Sequence, residues 1–174
     1  MMSSEVESRT PYIGALMLVG WQWVRAKVFH SVVAAGYHDL NPAHVGLFRY
    51  PTVDRLHPSE IAERMQITKQ SVHDLLGHLE HHGYLVREPD PSNRRARIIH
   101  LTSRGRQLEL EVRAAARQAE DEIAALLGPS RFTQLRDTLE TLAPMLTTDT
   151  AAAAPPGLDA LDGPSNAVVA KRLE

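Results

Sequence analysis

The sequence predicts a mainly α-helical chain with one small β-hairpin, an α+β fold in which long helices flank a short central unit. Three observations support this prediction. Apolar residues recur at three- and four-residue steps in the first and last thirds of the chain, a spacing typical of helices. Two short helical patterns joined by a tight turn lie in the middle. Two β-prone segments separated by a turn-rich loop follow them.

Composition and charge limit the possible functions. The chain has 174 residues, of which 43% are hydrophobic and 23% charged, as in globular domains. It contains no cysteine, which excludes disulfides, thiolate metal sites and a cysteine nucleophile. The formal net charge is -2, so a nucleic-acid-binding surface would have to concentrate its positive charge locally. No apolar run has the length of a membrane span, and residues 1–10 are polar, unlike a secretory signal. These features predict a cytoplasmic protein without membrane contact.

The first predicted helix spans residues 11–36 and ends at Gly36. Its apolar residues occupy more than one face, and a helix of this kind is expected to be buried on several sides. Asn41 and Pro42 then have the chemistry of an N-cap and a first helical turn. A second, short helix is therefore predicted to begin at this point.

The last predicted helices span residues 103–147 and are separated at Gly128-Pro129. The final helix carries apolar residues in a three-four alternation, the pattern of a packed helix pair: Phe132, Leu135, Leu139, Leu142 and Leu146. Together with the first helix, these segments offer more apolar surface than one small domain needs. We expect a homodimer, with a monomeric bundle as the alternative. Residues 1–10 are expected to be a flexible N-terminus, and residues 148–174, rich in Ala, Pro and Gly, a disordered tail.

The central unit has the pattern of a helix-turn-helix. A short amphipathic helix is predicted at residues 59–65, followed by a turn at 66–68 and a second helix at 69–82. Thr68 is a natural N-cap for the second helix, and Gly83 is its terminating glycine. The apolar residues of this helix share one face, which leaves a polar face for contact with a partner.

A basic hairpin is predicted directly after this unit. Residues 84–87 and 97–101 read as its two strands. From residue 87 to residue 106 there are six arginines against two acidic residues. An arginine-tipped hairpin behind a recognition helix predicts a winged helix-turn-helix. The helix suits the major groove of DNA, and arginines suit the narrow, electronegative minor groove.

Four segments carry a family resemblance. They read Ser-Glu-Ile-Ala at 59–62, Gly-His-Leu-Glu-His-His-Gly-Tyr-Leu at 77–85, Asp-Pro-Ser-Asn-Arg-Arg-Ala-Arg at 90–97 and Leu-Thr-Ser-Arg-Gly at 101–105. The chain thereby resembles the MarR (multiple antibiotic resistance regulator) family of bacterial transcription factors over residues 12–146. The resemblance implies dimerisation helices at 11–36 and 103–147 around a DNA-binding lobe at about 42–103. It implies a homodimeric repressor of a palindromic operator in double-stranded DNA, released by a small-molecule effector.

The resemblance also implies which residues contact DNA. On the recognition helix and the wing, these are Thr68, Lys69, Gln70, Ser71, His73, Arg94, Arg95 and Arg97. Gln70 can pair with adenine and Lys69 can neutralise a phosphate, so the chemistry agrees with these roles. Two positions depart from the family pattern. Asn93 stands where an aspartate is usual, and Asp74 stands where a basic residue is common, so Asp74 would oppose a nearby phosphate.

The ligand pocket of the family lies where the first two helices meet the helix after the wing. The candidate pocket residues are therefore Trp21, His30 and Phe48, with ordinary core packing as the alternative for each. His78 and His82, four residues apart, could chelate a metal, but no third ligand is evident nearby, so a metal-sensing regulator is kept only as an alternative. The sequence carries no recognisable catalytic or cofactor motif. A winged-helix protein-interaction module without specific DNA binding is the other alternative.

Overall fold

The computed structural model of the protein describes residues 11–49 and 52–150, with side chains described through residue 146. Six helices and two strands follow one another in these residues: α1 (Ile13–Ala34), α2 (Pro42–Gly46), α3 (Pro58–Met65), α4 (Lys69–His81), β1 (Leu85–Pro89), β2 (Arg97–Leu101), α5 (Ser103–Leu127) and α6 (Pro129–Thr150). The mainly α-helical fold with one hairpin is thereby confirmed. None of the described helices is long and apolar enough to cross a membrane.

Side-chain caps fix where several helices begin. Asn41 Oδ1 accepts from the backbone N–H groups of Ala43 and His44 at 3.0 Å each, ahead of α2. Thr68 Oγ1 accepts from Ser71 N at 3.0 Å and begins α4 as predicted. Such caps satisfy backbone donors that have no partner inside the helix. Local sequence therefore decides these boundaries.

The two strands form an antiparallel hairpin in which Leu85 lies opposite Leu101 and Pro89 opposite Arg97. The segment before α3 borders the outer edge of β2. Arg55 N donates to Ile99 O at 2.7 Å, and Ile99 N donates to Leu56 O at 2.9 Å. The hairpin is thus joined to the chain on both sides of the helix-turn-helix.

The core connects the helix-turn-helix to the long helices. Its fully buried side chains come from the segments α1 through α5, and they include Val32, Phe48, Ile61, Leu76, Leu79, Tyr84, Leu85, Ile99, Leu108 and Val112. The first turn of α5 approaches the base of β1 closely, because a Cβ added at Gly105 would lie 2.0 Å from the Tyr84 carbonyl oxygen. Only glycine fits there. The wing and the beginning of α5 are therefore packed as one body.

The prediction that the first helix is buried on several sides is not met within one chain. Only Val28 and Val32 of α1 are buried. Its N-terminal half leaves large apolar side chains exposed, as does α6: Ile13 (73%), Leu16 (51%), Val19 (57%), Leu135 (41%), Leu139 (41%) and Leu146 (50%). The physical reason is that α1 packs along α5 mainly through its second half.

The helix α6 extends to Thr150, three residues into the segment predicted to be a disordered tail. The rest of that predicted tail, 151–174, lies outside the described residues, as does the predicted flexible N-terminus at 1–10. The boundaries of the DNA-binding lobe and the dimerisation helices fall close to helix ends in the structure. Their functional division stays a prediction.

Candidate nucleic-acid interface

The recognition helix α4 has one buried face and one exposed face. Val72, Leu76 and Leu79 are completely buried against the core. The predicted DNA-contacting residues of this helix and its cap are all exposed: Thr68, Lys69, Gln70, Ser71 and His73. The Thr68 hydroxyl also lies 2.8 Å from the Ser71 hydroxyl. Lys69 and His73 are therefore the most available of these side chains.

Asp74, the acidic departure from the family pattern, holds Gln70 in a defined orientation. Gln70 Nε2 donates to Asp74 Oδ1 at 2.9 Å across one helical turn. A carboxylate can only accept, so the amide nitrogen faces Asp74 and the amide oxygen remains free to accept. The exposed face of α4 thus presents two acceptors side by side to a partner.

The wing presents arginines on a structured turn. Arg94, Arg95 and Arg97 are all exposed. Asn93 shapes the turn between the strands, because its Oδ1 accepts from Arg95 N at 3.2 Å and its carbonyl accepts from Ala96 N at 2.8 Å. The asparagine therefore holds the loop, as expected for an Asx turn.

Asp90 organises the other end of the same loop. Its Oδ1 accepts from both Ser92 N and Ser92 Oγ at 2.7 Å. These bonds, mainly from Ser92, lower the pKa of the Asp90 carboxyl, and the nearby His57 contributes to the same effect. Asp90 is therefore ionised under ordinary conditions and anchors the turn that carries the arginines.

An ion pair joins the recognition helix to the wing. Arg87 Nε on β1 donates to Glu80 Oε2 on α4 at 2.8 Å, and Arg87 N donates to Glu80 Oε1 at 3.1 Å. The hydrogen bond from the Arg87 side chain is the main cause that lowers the pKa of Glu80. Two candidate DNA-contacting elements are in this way fixed relative to each other.

A second polar cluster ties α5 to the segment before α2. Tyr84 OH donates to Asp39 Oδ1 at 2.8 Å, and an Arg104 Nη donates to Tyr84 OH at 2.9 Å. Burial, followed by the hydrogen bond to Asp39, raises the pKa of Tyr84 to about 12. The phenol therefore stays protonated and acts as a structural donor.

A cavity of about 440 Å³ lies between α1, α2, α3 and α4. Its wall combines apolar side chains with three arginines and one indole, and the full lining is Trp21, Arg25, Ala43, Gly46, Leu47, Arg49, Val53, Leu56, Ile61, Arg64, Met65, Ile67 and Leu75. The Arg49 guanidinium lies 4.4 Å from the Trp21 ring centre. Burial, followed by the charge of Arg25, lowers the pKa of Arg49. The positively charged side chains of the wall therefore favour an anion as the ligand of this cavity.

Two of the three predicted pocket residues lie outside this cavity, and their assignment to a ligand pocket stays a prediction. Trp21 lines the cavity, but His30 is exposed and its ring lies 6.2 Å from that of Phe29. His30 follows Trp21 by nine residues, which turns it to the opposite face of α1. Phe48 is 1% exposed and packs edge-on against Tyr84 in the core. The three arginines of the wall were not predicted from the sequence, and only Arg25, a cation within the mainly apolar helix α1, offered a sequence signal.

The histidines are arranged as a stack. The His78 ring lies 4.1 Å from that of His44 and 4.3 Å from that of His82. His78 Nε2 is 2.6 Å from the Asp39 carbonyl oxygen, and His82 Nδ1 is 3.0 Å from Asp39 Oδ2. In stacked rings the nitrogen atoms do not point toward one common position. No cluster of three metal-ligating side chains occurs within residues 11–49 and 52–150. The stack instead binds the end of α4 to α2.

The fold and this surface define a winged helix-turn-helix protein, and comparison with known proteins agrees. A family-level sequence comparison matches the MarR family over residues 38–96. No curated protein sequence matches the chain. A crystal structure of MarR is 20% identical with a TM-score of 0.70, and the alignment covers 83% of this chain and 97% of that one.

Two further structures are similar at higher identity. The transcriptional repressor CouR, bound to a 23-mer DNA duplex, is 26% identical with a TM-score of 0.61, covering 82% of this chain and 98% of CouR. A MarR family protein of Mycobacterium tuberculosis, in complex with p-aminosalicylic acid, is 25% identical with a TM-score of 0.58, covering 76% and 99%. The chain is thus similar to MarR-family winged-helix regulators in sequence over residues 38–96 and in fold over most of its length.

Proposed function

We propose that the protein binds double-stranded DNA as a homodimer, with α4 in the major groove and the wing arginines at the minor groove. The observation that carries this proposal is the pairing of an exposed polar recognition face with an exposed arginine turn, joined through the Glu80–Arg87 ion pair. The contact set is the one predicted from the sequence. The similarity to CouR bound to a DNA duplex supports the same mode of binding.

The proposed dimer covers the apolar surface that one chain leaves exposed. Among the described residues, most of that surface lies on the N-terminal half of α1 and on α6, with Leu110, Leu126 and Leu127 of α5 also exposed. A symmetric dimer places two recognition helices about a twofold axis, and such a pair reads a palindromic operator. The DNA-binding lobe is accordingly assigned to residues 42–103 and the dimerisation helices to 11–36 and 103–147. The proposed place of action is the cytoplasm, and no catalytic step is involved.

The effector we propose is a small aromatic anion bound in the cavity. Trp21 and the apolar lining would contact the ring, and Arg25, Arg49 and Arg64 would attract the negative charge. The p-aminosalicylic acid complex of the Mycobacterium tuberculosis relative supports this class of ligand. The cavity contacts both a dimerisation helix and the helix-turn-helix, so a ligand can shift the spacing of the two recognition helices and release the operator.

The decisive experiment compares Arg95→Ala with Gln70→Ala on two duplexes. The operator is first recovered by DNA selection with the purified protein, and a scrambled duplex serves as the control. Arg95→Ala should weaken binding to both duplexes and lower the slope of log affinity against log salt by about one phosphate equivalent. Gln70→Ala should cost about 1–3 kcal/mol on the operator and much less on the scrambled duplex.

Three outcomes would contradict the proposal. An unchanged salt slope in Arg95→Ala would remove the wing from the DNA interface. Equal losses for Gln70→Ala on both duplexes would remove Gln70 from base readout. Weak binding of the parent without salt dependence would favour the protein-interaction module instead.

A further inference from the structure

His57 bridges the helix-turn-helix and the wing. The residue lies immediately before α3, and its backbone N–H donates to Glu60 Oε2 at 2.7 Å. Its ring reaches across to the hairpin, where Nδ1 lies 2.8 Å from the Arg97 carbonyl oxygen. On its other side, Nε2 lies 3.1 Å from Asp90 Oδ2. One side chain therefore contacts both ends of the loop that carries the wing arginines.

Both partners of this ring can only accept a hydrogen bond. A carbonyl oxygen and an ionised carboxylate have no proton to donate, while a neutral imidazole carries a single N–H. Only the imidazolium form can donate to both partners at once. The side chain of His57 is 32% exposed, so its proton exchanges freely with solvent. The contact geometry is thus complete in the protonated state and half-satisfied in the neutral state.

Charged residues of three segments meet at His57. In the described part of the chain, His57 contacts the Glu60 carboxylate on α3 through its backbone N–H, the Asp90 carboxylate after β1 through its ring, and the carbonyl of Arg97 on β2. Two of these residues are acidic. Asp90 is the carboxylate that faces the ring, and the Ser92 bonds that lower its pKa keep it ionised. The Asp90 carbonyl also accepts from Asn93 N at 3.1 Å. The position of Asp90 is therefore coupled to that of the turn that carries the arginines.

We propose that His57 is a positioning residue, which in its protonated form clamps the arginine turn of the wing against the helix-turn-helix. The clamp orders the turn before DNA arrives, so less conformational freedom is lost when the arginines bind. DNA affinity should therefore rise as the pH falls through the range in which histidines gain a proton. The DNA consequence rests on the proposed function, whereas the clamp itself is a property of the free protein.

The test measures the clamp and its consequence separately in the full-length protein. In free protein, amide hydrogen exchange of residues 93–96 is compared between the parent and His57→Gln at about pH 5.5 and about pH 8. Comparing the two proteins at each pH cancels the intrinsic pH dependence of exchange. DNA affinity is then measured at the same pH values by fluorescence anisotropy with a labelled duplex of mixed sequence. His30→Gln, an exposed histidine on α1, is the matched control.

The proposal expects protection of the turn amides to be higher in the parent than in His57→Gln at the lower pH and similar at the higher pH. Parent DNA affinity should exceed that of His57→Gln by about two- to fivefold at the lower pH, the range of a partly exposed ion pair. The two proteins should converge at the higher pH, and His30→Gln should follow the parent throughout.

Equal turn protection in the parent and His57→Gln at both pH values would overturn the clamp. The positioning role would be overturned if turn protection differed between the two proteins while their DNA affinities followed the same pH profile. Absence of DNA binding by the parent protein would refute the proposed function, and the exchange data would still decide the clamp.

Discussion

The burial of His44 predicts a specific loss of stability in acid. His44 is 6% exposed and lies under the His78 ring. Burial, followed by the charge of His78, lowers its pKa from 6.5 to about 4. The unfolded chain therefore takes up a proton at a higher pH than the native chain does. By linkage, the contribution of His44 is fully present above about pH 6.5 and is lost as the pH falls toward about 4.

The size of the effect follows from the shift itself. Each unit of pKa difference corresponds to about 1.4 kcal/mol, so the depressed pKa of His44 is worth about 3 kcal/mol of unfolding free energy at neutral pH. The variant His44→Gln removes this titration. Because His44 Nδ1 accepts from Asn41 N at 3.2 Å, and a glutamine at the same helix position can accept the same bond, the variant keeps the start of α2.

The assay is urea denaturation of both proteins, at one fixed protein concentration and at several pH values between about 7 and about 4. Circular dichroism monitors the unfolding. The parent should lose about 3 kcal/mol more than His44→Gln between neutral pH and about pH 4. His38→Gln, an exposed histidine close in sequence, should keep the steep profile of the parent. Parallel profiles for the parent and His44→Gln would refute the reasoning, because they would show that His44 does not titrate differently on folding.

Three further predictions concern the cavity, the dimer and the recognition helix. Arg49→Gln should weaken binding of p-aminosalicylate, used as the probe, by about tenfold or more in calorimetric titration, since it removes a charge-assisted contact; unchanged affinity would place the anion elsewhere. Leu139→Glu should convert the dimer into a monomer in analytical ultracentrifugation, because a buried unpaired carboxylate costs several kcal/mol; a parent that is already monomeric would contradict the dimer. Asp74→Asn should strengthen binding to a mixed-sequence duplex by about two- to fivefold at low salt by removing repulsion from phosphate, and equal affinity would show that Asp74 lies away from the DNA backbone.

Local chemistry made much of the fold predictable. The boundary at Thr68 follows from its own hydroxyl, which accepts from Ser71 N three residues on. The turn at Gly83, with φ of 73°, follows from the freedom of glycine. The wing turn follows from Asn93 and its neighbours. Each of these features depends on atoms only a few residues apart, so the sequence contains the whole interaction.

The cavity and the clamp depend on contacts between distant segments. His57 and Arg97 are forty residues apart, and Arg49 meets Trp21 only because α2 packs on α1. No local pattern indicates which face of α1 lines a cavity. The face was nevertheless decidable for His30 once Trp21 was placed, since nine residues correspond to half a turn of rotation. The outward position of His30 thus follows from helical geometry, whereas the arginines of the wall come together only through tertiary packing.

The position of Trp21 gives the protein an optical property. The chain contains two tryptophans, Trp21 and Trp23, and both lie on α1. Trp21 faces the guanidinium of Arg49 in the cavity wall, whereas Trp23 lies beside the ammonium of Lys27, at 5.5 Å from its ring centre. Emission from the native chain therefore arises from one helix and is sensitive to two cations. An anion that draws Arg49 away from the indole alters one of the two emitters and leaves the other as an internal reference.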